Sequence, residues 1–176
     1  MAMIIPASLT HLEVAYDMQH LFRQRHGFEW RTRKGLQVKF DVEVQYQNHV
    51  YSREYDPAQA IVGAYIMDCD QHWRRGLLRC FEPVRHAWSL ALPAIIAALF
   101  EKPTIYVKET TRHNYTHFVM PAPDPAPVGE RYYIFFRPVR ENYGYTLIVE
   151  SAYCMATPPE TRSGILFGAM FEKVMS

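Results

Sequence analysis

From Leu36 to Tyr46 every even position is apolar (Leu36, Val38, Phe40, Val42, Val44, Tyr46) and every odd one polar (Gln37, Lys39, Asp41, Glu43, Gln45). Eleven residues of unbroken period-two alternation define a strand with one face buried and one wet, because successive side chains of an extended chain point to opposite sides. Asn48-His49 then reads as a turn into a second strand, Val50–Tyr55, giving an N-terminal β-hairpin. Ahead of it, Ser8 or Thr10 is placed to cap a helix running to His26. Val14, Met18, Leu21 and Phe22 lie on one face of that helix, and Gly27 ends it.

Asp56-Pro57 is an N-cap followed by a proline suited to the first helical position. The stretch 57–102 is helical in character and is divided by Gly76, Pro83 and Pro93. Beyond Pro103 the chain turns β-rich, with strands expected at 104–110, 115–120, 131–139 and 145–155. The run Tyr132-Tyr133-Ile134-Phe135-Phe136 is apolar at both parities, so that strand is covered on both sides. Prolines 121, 123, 125 and 127 stiffen the loop before it, and Asn142-Tyr143-Gly144 supplies a hairpin turn after it. Thr157-Pro158-Pro159-Glu160 resembles a capping box opening a last helix, with Phe167, Met170, Phe171 and Val174 inward and Gly164 and Gly168 open to close approach.

The reading is one α+β domain over 1–176: helix plus hairpin (1–56), a helical block (57–102), and an antiparallel four-stranded meander with a C-terminal helix (103–176). The 176 residues, 49% apolar with twelve Tyr and ten Phe, suffice for a substantial core. A net charge of +1 favours no class of partner. Three widely spaced cysteines, Cys69, Cys80 and Cys154, read as reduced thiols. The first residues lack the pattern of a signal peptide, and the apolar run 91–100 is half the length that spans a bilayer, so a cytoplasmic location is expected.

No phosphate-binding glycine loop, nucleophile elbow, zincin pair or kinase signature occurs, and no cofactor is expected. The densest chemical cluster is Arg112-His113-Asn114-Tyr115-Thr116-His117. An imidazole moves protons near neutral pH and a guanidinium holds a phosphate bidentately. Extended backbone would set His113 and His117 ~13 Å apart, so either His113 sits on a folded turn or one histidine works with a residue of a neighbouring strand: Arg137, Arg140, Tyr145, Ser151 or Tyr153. Cys69, His72, Cys80 and His86 supply zinc-type donors in a spacing that matches no common module. His72, Arg74, Arg75, Arg79, Arg85 and His86, with Trp73 and Trp88, form a basic helical strip that suits nucleic acid or serves as a solvated face.

The stretch Tyr132–Val139, the turn at 142–144 and Thr146–Tyr153 ending in Ser151-Ala152-Tyr153 resemble the closing strands of the barnase–EndoU–colicin–RelE group of ribonuclease toxins. That resemblance implies a metal-independent endoribonuclease. His113 or His117 would then be the general acid/base, Arg137 or Arg140 the phosphate clamp, and Ser151 or Tyr153 the late-strand contact. The residues by themselves favour a binding or interaction domain without assured catalysis, engaging RNA or a protein, and an exposed strand edge allows a homodimer. A small-molecule pocket between the aromatic sheet and the helical block is the third reading.

Overall fold

The alternating segment becomes the third-longest strand of the molecule, and it lies near one edge of a seven-stranded sheet. The structure, a computed structural model, describes residues 5–59, 63–68 and 78–175. In chain order the elements are β1 (Ser8–His11), β2 (Val14–Asp17), β3 (Gln24–Arg31), β4 (Gln37–Tyr46), β5 (Ser52–Glu54), β6 (Ile66–Asp68), β7 (Leu78–Phe81), α1 (Pro83–Ser89), α2 (Leu92–Glu101), β8 (Tyr106–Thr110), β9 (Tyr115–Val119), β10 (Arg131–Glu141), β11 (Gly144–Met155), β12 (Thr161–Leu166) and α3 (Phe167–Met175).

The main sheet has the order β12-β8-β9-β10-β11-β4-β3, and β5-β7-β6 form a second sheet. It is a mixed α+β fold, with strands in the majority. The strands expected between 104 and 155 are consecutive antiparallel neighbours, but they form part of a larger curled sheet instead of standing alone. The junction that enlarges it is parallel: β11 pairs with β4 over Tyr145–Val149 and Val42–Tyr46.

An N-terminal hairpin is present, but β4 makes it with β3, from Gln24↔Val44 to Arg31↔Gln37. β5 leaves to pair with β7. The helix expected over 8–26 is instead β1, β2, a 3₁₀ turn and the start of β3. Leu12 and Glu13 adopt positive φ of 52° and 65° at the β1–β2 turn, which no helix accommodates. In the expected helical block only α1 and α2 are α-helical among the described residues; 57–59 is a single 3₁₀ turn and 78–81 a strand. The last helix begins at Phe167, because Thr161–Leu166 pairs with β8.

One face of the main sheet carries the core. Phe40, Val42, Val44 and Tyr46 of β4, Tyr132, Ile134 and Phe136 of β10, and Leu147, Val149 and Ala152 of β11 are all buried. They pack on Leu92, Ile96, Leu99 and Phe100 of α2 and on Phe167, Met170 and Phe171 of α3. Phe28, Phe40, Phe100, Phe167 and Phe171 form a contiguous aromatic cluster, with centroids 5.0–6.3 Å apart in stacked, tilted and edge-on pairs. The helical stretch Pro83–Glu101 is long and apolar enough to cross a bilayer by length and composition alone, yet four of its side chains belong to this core. All five residues of Tyr132–Phe136 are buried, as two-sided covering requires.

Candidate functional site on the outer sheet face

The two faces of the sheet divide the sequence-derived candidates. His117 registers with Ile134, a core residue, and so lies on the helix side, where burial lowers its pKa. Arg140 also falls on that side, donating from Nη1 to the carbonyl of Met175 at 2.6 Å. Neither can reach Arg137, Ser151 or Tyr153, which lie on the opposite, outer face. The pairing of His117 with Arg137 is therefore excluded, as is a phosphate clamp by Arg140 beside Ser151. His113 is exposed on the β8–β9 turn with φ of 62°.

A β-bulge explains how Ser151 and Tyr153 come to the outer face. Phe135 opposes Ser151 while Phe136 opposes Val149, leaving Glu150 unpaired in the ladder. One extra residue inverts the parity of the strand. Val149 and Ala152 thus both stay in the core, and Glu150, Ser151 and Tyr153 are all turned outward.

Reading across the strands, the outer face has three rows. The first is aromatic: Phe118 opposes Tyr133 and Tyr133 opposes Tyr153, with Tyr106 continuing the row on β8. Guanidinium groups sit on its rings, Arg131 5.0 Å from the Phe118 centroid and Arg85 5.0 Å from that of Tyr153. The second row is Lys108, Thr116, Phe135 and Ser151. Thr116 Oγ1 is buried there without a hydrogen-bond partner among the described residues. The third row is a polar network. Arg137 Nε donates to Glu150 Oε1 at 2.6 Å, Asn114 Nδ2 donates to Glu150 Oε2 at 2.7 Å, and Thr110 Oγ1 donates to Asn114 Oδ1. Both carboxylate oxygens of the bulge residue are therefore held.

Sequence reading reached Arg137, Ser151 and Tyr153, and Asn114 within the 112–117 cluster, but missed Glu150 and Thr110. The exposed apolar groups Tyr106 (72%), Phe118 (41%) and Met120 (64%) were also missed; together they make the aromatic end of this face sticky to a partner.

Cys80 lies on β7 and His86 on α1, where His86 Nε2 donates to the Asp17 carbonyl at 2.8 Å; Cys69 and His72 lie outside the described residues. No group of three potential metal ligands occurs among the described residues. The basic strip does not form one helix face among the described residues: Arg79 is on β7 and bonds Ser52, Arg85 on α1 bonds the His49 and Ser52 carbonyls, and residues 72–75 are outside the described set. His20 Nε2 lies 2.7 Å from Ser89 Oγ, a contact that superficially suits a nucleophile and its base. Ser89 is fully buried, however, and its hydroxyl proton goes to the His86 carbonyl at 2.7 Å. His20 must therefore donate to Ser89, and no activation results. An open depression of about 130 Å³ beside the β10–β11 turn is lined by Arg25, Asp41, Glu43 and Glu141, with Glu43 already paired to Arg23 at 2.8 Å.

These features define a mixed α+β protein on a curled seven-stranded sheet, with a core on the helix side and an aromatic–polar face on the other. The chain belongs to the YjaZ family, whose family model matches residues 8–175. No curated protein and no solved structure matches it.

Proposed function

We propose that this chain is a binding domain that engages a macromolecular partner through the outer face of its main sheet, at the end formed by Tyr106, Phe118, Met120 and Arg131. The observation that carries this is the aromatic row, with three large apolar side chains left open to solvent at one end and a cation stacked on the exposed ring. Tyr, Met and Arg are the residue types enriched where partners dock. Lys108, exposed in the adjoining row, adds positive charge beside the patch. The test is recovery of partners from native extract with the wild-type chain and with Tyr106→Glu/Phe118→Glu. Both positions are solvent-facing, so the melting temperature should stay within about 2 °C of wild type. Partners held by the wild type and lost by the variant support the reading. Identical recovery with both chains, or none with either, refutes it.

A second reading is favoured by the polar row. Glu150, held by Arg137 and Asn114, lies one residue in sequence from Ser151, and Asn114 follows the exposed His113. A carboxylate, an imidazole and a guanidinium are the groups that metal-independent RNA cleavage requires. Under this reading His113→Ala and Glu150→Gln each abolish cleavage of a single-stranded RNA while His117→Ala leaves it intact; absence of cleavage by the wild type removes it.

A further inference from the structure

The main sheet ends in two edges, β12 and β3, and they differ in how they are protected. A row of unpaired N–H and C=O groups is a template for another chain, and proteins blunt such an edge with shortness, proline or a bulge. β12 has six residues, and its register with β8 slips between Thr161 and Gly164. β3 has eight residues, contains no proline and pairs with β4 without interruption from Gln24↔Val44 to Arg31↔Gln37. Outside that ladder no main-chain to main-chain hydrogen bond involves Gln24–Arg31 among the described residues. The β3 edge is open.

Its side chains complement a second copy of themselves. Gln24, His26, Phe28 and Trp30 alternate to the core side, and Arg25, Gly27, Glu29 and Arg31 are exposed on the other. A two-fold axis perpendicular to the sheet would set β3 antiparallel to its copy and keep each face on its own side. With Gly27 opposite the partner's Gly27, Arg25 would face the partner's Glu29, and Glu29 the partner's Arg25. Neither has an ion-pair partner within its own chain among the described residues. On the core side His26 would meet the partner's Phe28, and Gln24 the partner's Trp30. Arg31 would fall opposite the partner's Arg23, one residue beyond the strand and already paired with Glu43 at 2.8 Å. Other registers fit less well. Centring on Phe28 sets Arg25 against the partner's Arg31, and centring on His26 leaves Arg25 opposite a glycine.

Gly27 is an independent sign. Glycine inside a strand weakens it, and it often marks a place where another backbone comes close. Nothing within the chain asks for glycine here. A Cβ at 27 would touch only the Phe40 carbonyl oxygen, at an ordinary 3.7 Å, and the backbone is not left-handed. On a two-fold axis, by contrast, any side chain of residue 27 would face its own copy, and a charge would face a like charge. We propose that two copies of this chain pair antiparallel through β3, with the axis at Gly27, so that their seven-stranded sheets join into one. The aromatic patch on β8 and β9 lies towards the opposite edge of the sheet, so the pairing leaves it open and does not depend on it.

The test is the mass of the full chain in solution, by light scattering on a sizing column at about 1–200 µM. The wild type should run at twice the chain mass. Arg25→Glu and Glu29→Arg each put like charges into both contacts and should raise the dissociation constant at least about tenfold. An equal mixture of the two variants restores opposite charges in both contacts and should recover the dimer. Both positions are exposed, so circular dichroism should match that of wild type. Gly27→Cys gives a second readout. Residues directly opposite in an antiparallel pair stand about 4.5–5.5 Å apart, within disulfide reach. Mild oxidation should therefore cross-link Gly27→Cys into a covalent dimer, while Ser163→Cys on β12 stays a monomer on a non-reducing gel. A wild type that is monomeric at every concentration overturns the proposal. So does a dimer undiminished by either charge reversal, a mixture no more associated than its components, or cross-linking of Ser163→Cys in place of Gly27→Cys. If a charge variant fails to fold, the wild-type mass and the two cysteine variants decide.

Discussion

Replacing Gly168 by alanine sets two effects of known sign against each other. Gly168 lies in the first turn of α3, and its amide donates to the Pro103 carbonyl at 2.8 Å, which holds the helix start against the α2–β8 connection. Judged by helix propensity, alanine should stabilise by up to about 1 kcal/mol. A methyl built there, however, falls inside the Trp30 indole, 2.5 Å from Cδ2, 2.7 Å from Cζ3 and closer still to Cε3. The clash is with the body of a ring, and that ring is anchored by Nε1 donating to Glu172 Oε2 at 3.2 Å. Forcing such an overlap costs about 1–3 kcal/mol through displaced packing, and the upper part of that range fits a rigid ring. The net expectation is a loss of about 1–2 kcal/mol, seen as a melting temperature about 3–6 °C lower. Trp30→Leu in the same background should erase most of the Gly168→Ala penalty, giving a coupling energy of about 1 kcal/mol or more in a double-mutant cycle. A Gly168→Ala protein as stable as wild type or more so would refute the close-approach argument.

Acid should weaken the fold in a defined window. Burial, with His86 close by, depresses His20 to about 4 from an ordinary 6.5, so the unfolded chain binds the extra proton between those values and stability falls as pH drops from about 6.5 towards 4. His20 is half-exposed, and allowing for solvent screening the loss is about 1–2 kcal/mol, measurable by urea unfolding at pH 7 and pH 4.5; a flat profile in His-intact protein contradicts it. Glu150→Gln removes a charge held by two side chains and should cost about 1–2 kcal/mol, with the Arg137→Met/Glu150→Gln double variant less than additive. Burial raises the Cys154 thiol to about 11, so its alkylation by iodoacetamide at neutral pH should run about a hundredfold slower than that of an exposed peptide thiol, read by peptide mass mapping.

The strongest patterns in the sequence were the long ones. Eleven residues of alternation gave β4, the doubly apolar run gave β10, and Asn142-Tyr143-Gly144 gave the turn between β10 and β11. Short elements misled. The spacing of Val14, Met18, Leu21 and Phe22 mimics a helix only because two four-residue strands and a 3₁₀ turn happen to place them so. Thr161–Leu166 carries a cap-like preamble, yet β8 offers it a ladder partner that local propensity cannot foresee. Of the five residues read as neighbours of a histidine, Arg137, Ser151 and Tyr153 lie on the outer face, away from His117. Glu150 was missed because a bulge cannot be seen in an alternation count.

The parallel seam between β4 and β11 has a consequence for how the chain comes into being. Val42 and Tyr145, its first registered pair, are about a hundred residues apart in sequence. During synthesis β3 and β4 can form their hairpin early, but the edge that β11 will occupy stays unclaimed until some hundred further residues have emerged. That edge carries Val42, Val44 and Tyr46, so the nascent protein presents a bare, sticky strand over the whole interval between β4 and β11, and a chaperone or a premature neighbour has that long to find it.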